Sequence, residues 1–129
     1  MDAASAAPLI EGLRVFVVED EALVAIMLED MLIDLGCTVV GVAGNIHDAL
    51  SRLVDSDADG AVLDVNIGGE KVFPVADALA ARGTPFVFAT GYGRTGLDDR
   101  YPRAPVLTKP YSRDALALAL ASLRDGSAG

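Results

Sequence analysis

Five short apolar runs, regularly separated by segments of different character, constrain this chain more than any single motif does. They are LRVFVV (13–18), CTVVGVA (37–43), GAVLDV (60–65), PFVFAT (85–90) and APVLTK (104–109). Three of the separators read as helices. In 21–36, Val24, Leu28, Met31 and Leu35 recur at intervals of four, three and four, with Gly36 as a stop. The segment 45–56 starts with Asn45 as a cap, and 70–83 carries Pro74 near its first turn. A closing helix follows the last run, between Ser112 as cap and Gly126 as stop. Apolar runs without internal alternation belong to strands buried on both faces. Alternated with helices, they predict an α/β fold: a doubly wound, five-stranded parallel sheet.

The elements use nearly the whole of the 129 residues, with no internal repeat and no linker, so one domain is expected over 12–125. Residues 1–11, rich in alanine, read as a flexible N-terminal tail, and 126–129 as a short C-terminal one. No signal peptide and no apolar stretch of membrane-spanning length is present, which points to the cytoplasm and away from the membrane. The net charge of -9 argues against DNA or other nucleic acid and suits a cation site or a basic partner. Cys37, the one cysteine, opens an apolar run and reads as small core filler.

Polar residues stand where the strands end. The first run finishes in Glu19 and Asp20, the third contains Asp64, the fourth ends in Thr90 and the fifth in Lys109. Ligands of doubly wound sheets bind at the carboxyl ends of strands near the switch point. With strand order 2-1-3-4-5, these five residues converge on one rim. Three neighbouring carboxylates call for a cation, and oxygen donors select a hard one such as Mg²⁺. Lys109 and Thr90 are suited to phosphoryl oxygens. Asp64, central among them, can attack a phosphoryl group and become an acyl phosphate.

The acidic pair ED at 19–20, VLDVN around Asp64, FATG at 88–91 and KPY at 109–111 together resemble the receiver domain of two-component response regulators, over about 12–125. The resemblance implies a flavodoxin-like receiver fold. It makes Asp64 the phosphoacceptor and places Mg²⁺ on Glu19, Asp20, Asp64 and the backbone carbonyl of Asn66. Thr90 and Lys109 then contact the phosphoryl group, and the peptide before Pro110 is cis. The implied function is that of a single-domain response regulator. It takes its phosphoryl group from a histidine kinase or phosphotransfer protein, then signals to a downstream protein by contact or acts as a phosphate sink. It is no enzyme toward other substrates, catalysing only its own phosphorylation and dephosphorylation. The FATGY stretch resembles stand-alone receivers paired with histidine kinases of the HWE and related types.

The chain departs from that family in three places. Val106 stands where an aromatic switch residue is usual, which leaves Thr90, Tyr92 and Tyr101 as switch candidates. The segment 91–105 is short and rich in glycine and proline, so the helix between the fourth and fifth strands is expected to be a stub or a mobile loop. Gly68 replaces a common proline, which predicts a looser loop after the third strand. Other features read as ordinary: His47 as a solvated surface residue, and GVAG at 41–44 as a plain turn. In the last helix Leu116, Leu120 and Leu123 fit the core. Leu118 with Ala117 and Ala121 forms a second strip, either a docking or homodimer surface or one packed beneath the N-terminal residues. The competing chemistry is a Mg²⁺-dependent phosphohydrolase of the haloacid dehalogenase type with Asp64 as nucleophile. Such enzymes carry a second aspartate two residues on, where this chain has Asn66.

Overall fold

The five apolar runs form a single parallel sheet in the computed structural model, which describes residues 1–91, 97 and 101–124. The order of elements is α1 (Ala3–Ile10), β1 (Arg14–Val18), α2 (Ala22–Asp34), β2 (Thr38–Ala43), α3 (Ile46–Leu53), β3 (Gly60–Asp64), β4 (Asn66–Ile67), β5 (Glu70–Lys71), α4 (Phe73–Ala81), β6 (Phe86–Thr90), β7 (Val106–Thr108) and α5 (Arg113–Arg124). The large sheet runs β2-β1-β3-β6-β7, the 2-1-3-4-5 order expected.

The strands are apolar throughout because each side faces a helical layer. Val15 and Val17 of β1, Val62 of β3, and Val87 and Ala89 of β6 pack with α1, α2 and α5. Their alternates, Phe16 and Val18, Ala61 and Leu63, and Phe86 and Phe88, pack with α3 and α4. Cys37 is buried in the first layer, and burial pushes its thiol up to about 11. The β1–β2 register skips Val40, so that Phe16 pairs with Gly41. A Cβ on Gly41 would lie 2.7 Å from the Phe16 ring, so only glycine admits that ring.

The helix ends follow from local chemistry. The Asn45 side chain accepts the Asp48 N–H at 2.7 Å, and Ser112 Oγ accepts the Ala115 N–H at 3.0 Å. Gly36, at φ +87°, ends α2. Its N–H reaches the Ile33 carbonyl and the Cys37 N–H reaches the Leu32 carbonyl, the paired bonds of a Schellman motif. His47 lies exposed on α3. Among the described residues, no helix is long and apolar enough to cross a membrane.

Two expectations are corrected. The N-terminal residues are not a loose tail, since α1 is held against α5. Ala6 and Ile10 have no exposed surface, and neither do Ala117 and Ala121 in the same cluster. Small side chains on both helices allow this close approach, while Asp2 caps the helix by accepting the Ser5 N–H at 2.8 Å. Pro8, which lacks an N–H, lies on the exposed side. The second strip of α5 is therefore packed beneath the N-terminal residues, leaving Leu118 37% exposed.

Nor is the segment after β3 loose. It forms the hairpin β4–β5, with Asn66 opposite Lys71 and Ile67 opposite Glu70. Gly68 and Gly69, at φ +58° and +83°, make the two-residue turn. Two central residues of positive φ define the type I′ turn, whose twist matches that of the strands it joins. The stub or mobile helix expected within 91–105 falls mainly on residues 92–96 and 98–100, and Gly126 with the C-terminal tail on 125–129. These lie outside the described residues.

Candidate functional site

The rim formed by the carboxyl ends of β1, β3, β6 and β7 gathers the polar residues. Glu19 and Asp20 follow β1, Asp64 ends β3, Thr90 ends β6 and Lys109 follows β7. Oxygens of Glu19, Asp20 and Asp64 all lie within 4.8 Å of one another. Glu19 is 5% exposed and Asp64 8%, whereas Asp20 is open to solvent.

Glu19 and Asp64 share one donor, and each also accepts a backbone N–H of its own. Lys109 Nζ donates to Glu19 Oε1 at 3.0 Å and to Asp64 Oδ2 at 3.1 Å. The second oxygen of Glu19 takes the Glu21 N–H at 3.1 Å, and that of Asp64 the Asn66 N–H at 3.3 Å. Asp20 accepts the Gly68 N–H at 2.9 Å, so the hairpin turn is tied to the acidic pair. The Lys109 N–H donates to the Thr90 carbonyl at 2.8 Å, which sets the lysine beside the buried threonine. The Lys109–Pro110 peptide is cis.

Burial pushes the Glu19 carboxyl up, against the Glu21 N–H and Lys109 bonds that favour its ionised form. Burial pulls Lys109 down, but its hydrogen bonds to Glu19 and Asp64 outweigh that and its pKa is raised. One lysine among three carboxylates leaves an excess of negative charge on oxygen donors alone. This donor set could hold a metal ion, and its hardness fits a divalent cation bound through oxygen.

Tyr101 lies away from this rim, on the aromatic side of the sheet. Its ring meets Phe86 edge-on at 5.0 Å and Phe88 at a tilt at 6.3 Å, and its hydroxyl donates to Asp77 Oδ1 of α4 at 2.5 Å. Val106 pairs with Phe88 in register and packs against the same cluster. Tyr101 thus brings an aromatic ring to the neighbourhood of the position where Val106 has none. Tyr92 lies outside the described residues. Lys71, absent from the sequence-based expectations, joins the site through the hairpin: its Nζ donates to Asn66 Oδ1 at 2.9 Å. The Gly-Gly pair was the signal that could have revealed that pairing. Nothing favours the phosphohydrolase reading, since the residue two beyond Asp64 supplies an amide that is already engaged by a lysine.

No protein-family model matches the chain. SdrG from Sphingomonas melonis Fr1, solved in solution, is 50% identical, covering 87% of this chain and 96% of SdrG, with a TM-score of 0.78. The receiver domain of the PhyR response regulator from Erythrobacter litoralis has a TM-score of 0.77 at 21% identity, over 88% of this chain and 90% of that one. The transcriptional regulatory protein TcrA of Mycobacterium tuberculosis is 35% identical over 124 residues, covering 88% of this chain. The chain spans about half of TcrA, 47% of its length. Half-identical to SdrG over almost all of that protein, and folded as receiver domains fold, the chain belongs to the receiver domains of response regulators.

Proposed function

We propose that Asp64 accepts a phosphoryl group and that this chain signals through the resulting acyl phosphate. The observation that carries the reading is Lys109 Nζ between Glu19 and Asp64, with Asp20 beside them at the strand ends. Glu19, Asp20, Asp64 and the Asn66 backbone carbonyl hold Mg²⁺. Bound there, the ion supplies positive charge to the phosphoryl oxygens. Asp64 contributes the attacking carboxylate oxygen, and Lys109 then turns from the free carboxylate to the phosphoryl group. The Thr90 hydroxyl donates to the same group. Tyr101, packed between Phe86 and Phe88 of β6 and Asp77 of α4, carries the change outward in place of the missing ring at 106. SdrG, half-identical, takes a BeF₃-activated conformation, which supports a site built for a phosphoryl-like group.

The donor is a histidine kinase, of the HWE or a related type, or a phosphotransfer protein. Helix α2, which starts beside the acidic pair, exposes Leu23, Ile26, Met27 and Ile33, an apolar face of the kind protein partners cover. Output is by contact with a downstream protein, or the chain drains phosphoryl groups as a sink. It works in the cytoplasm, binds no DNA, and catalyses only its own phosphorylation and dephosphorylation.

Intact mass after incubation with Mg²⁺ and acetyl phosphate tests the reading. One phosphoryl group should be added, and it should be lost in Asp64→Asn and without Mg²⁺. No added mass, together with acetyl phosphate consumption no faster than that of Asp64→Asn, would overturn it.

A further inference from the structure

The hairpin that follows Asp64 carries a lysine that the phosphoacceptor reading does not use. Lys71 is the cross-strand partner of Asn66, and its Nζ lies 2.9 Å from Asn66 Oδ1. The type I′ turn at Gly68 and Gly69 fixes the register of that pair, and the bond from the Gly68 N–H to Asp20 ties the turn to the acidic pair. A lysine ammonium only donates hydrogen bonds, so the amide end it holds must be the carbonyl oxygen. The end of Asn66 that Lys71 does not hold is therefore its NH₂ group. This residue stands two positions after Asp64, with its backbone N–H on the Asp64 carboxylate.

The orientation matters for the fate of an acyl phosphate. Hydrolysis joins a water oxygen to phosphorus and breaks the bond from phosphorus to the Asp64 oxygen. The carboxylate is restored and dihydrogen phosphate leaves with both protons of the water. A carbonyl oxygen beside the phosphoryl group accepts a hydrogen bond from such a water and orients it for attack, whereas an NH₂ group donates to the phosphoryl oxygens instead. We propose that Lys71 is a positioning residue: across the hairpin it holds the Asn66 amide with its NH₂ group toward the phosphoryl group, and so prolongs the phosphorylated state. The inference rests on Asp64 being the phosphoacceptor. Without Lys71, rotation about the terminal bond of Asn66 lets either end of the amide face the site.

The test follows the decay of phosphorylated protein, formed with acetyl phosphate and Mg²⁺ and then freed of excess donor, in wild type, Lys71→Met, Lys71→Arg and Asn66→Ala with and without Lys71→Met. One solvent-exposed hydrogen bond of ordinary net strength corresponds to a decay about fivefold faster in Lys71→Met. Lys71→Arg should restore the wild-type lifetime, and Lys71→Met should have no effect once Asn66 is alanine. A wild-type lifetime in Lys71→Met, or the same acceleration in the Asn66→Ala background, would overturn the role of Lys71. Failure of the wild type itself to gain a phosphoryl group, with acetyl phosphate consumed no faster than by Asp64→Asn, would strike the phosphoacceptor reading instead.

Discussion

Replacing Ile10 with alanine should destabilise the fold as a core substitution does, although the residue lies in a stretch whose composition reads as a tail. Ile10 has no exposed surface and packs in the same cluster as Leu116, Ala117, Leu120 and Ala121. The substitution removes three carbon atoms, and at about 0.8 kcal/mol for each the transfer loss is about 2.4 kcal/mol. The cavity left behind brings the total to about 3 kcal/mol, within the usual span for such truncations. With a urea dependence of about 1.5 kcal/mol/M, the unfolding midpoint followed by circular dichroism should fall by about 2 M. A pair of charged variants sharpens the test. Ala6→Asp buries a carboxylate beneath α1 and should release the helix, whereas Ala7→Asp, on the exposed side, should change stability by less than about 0.5 kcal/mol. A midpoint shift under about 0.3 M for Ile10→Ala, with Ala6→Asp and Ala7→Asp alike, would refute the packing of α1.

Three further outcomes are expected. Lys109→Met leaves the buried Glu19 and Asp64 without their cation and should cost about 3 kcal/mol in urea titrations with chelator, with Mg²⁺ restoring most of it; equal stabilities in chelator would contradict the pairing. Burial raises the Glu19 pKa above its ordinary 4.5, so the metal-free folded state holds a proton there that the unfolded chain has already lost. Stability from this group is present at low pH and is lost as pH rises from 4.5 through the folded value, a trend that Glu19→Gln should flatten in midpoints measured against pH. Tyr101→Phe removes the bond to Asp77 and should cost about 1 kcal/mol by thermal melting. Tyr101→Ala also strips the ring from Phe86 and Phe88 and should cost about 3 kcal/mol.

The sheet was legible because burial on both faces leaves a mark that does not depend on context: GAVLD and FVFAT have no polar residue before the end. The site was legible for the same reason, since Glu19, Asp64, Thr90 and Lys109 interrupt that apolar pattern at the strand ends. Helix α1 was not. Its eight residues hold a proline and four alanines, and what makes them helical is the surface of α5, far away in sequence. The hairpin was legible in principle from Gly68-Gly69, but the flanking residues Asn66, Glu70 and Lys71 give no alternation of apolar and polar to announce a strand. The link from Lys71 to Asn66 depends wholly on that register. Tyr101 follows a segment without periodicity, so its place on Phe86 and Phe88 comes from tertiary packing alone.

The contact of α1 with α5 also sets an order of assembly. Helix α1 leaves a ribosome before the sheet does, and the surface it covers leaves after the sheet. Until α5 has emerged, Ile10 has no finished core to enter, and the contact closes a loop that contains the whole sheet. The first layer of the sheet can therefore be completed only after synthesis of α5, whereas α3 and α4 can cover the other layer earlier. A nascent chain halted before α5 should carry α1 undocked, with its apolar side open to chaperones.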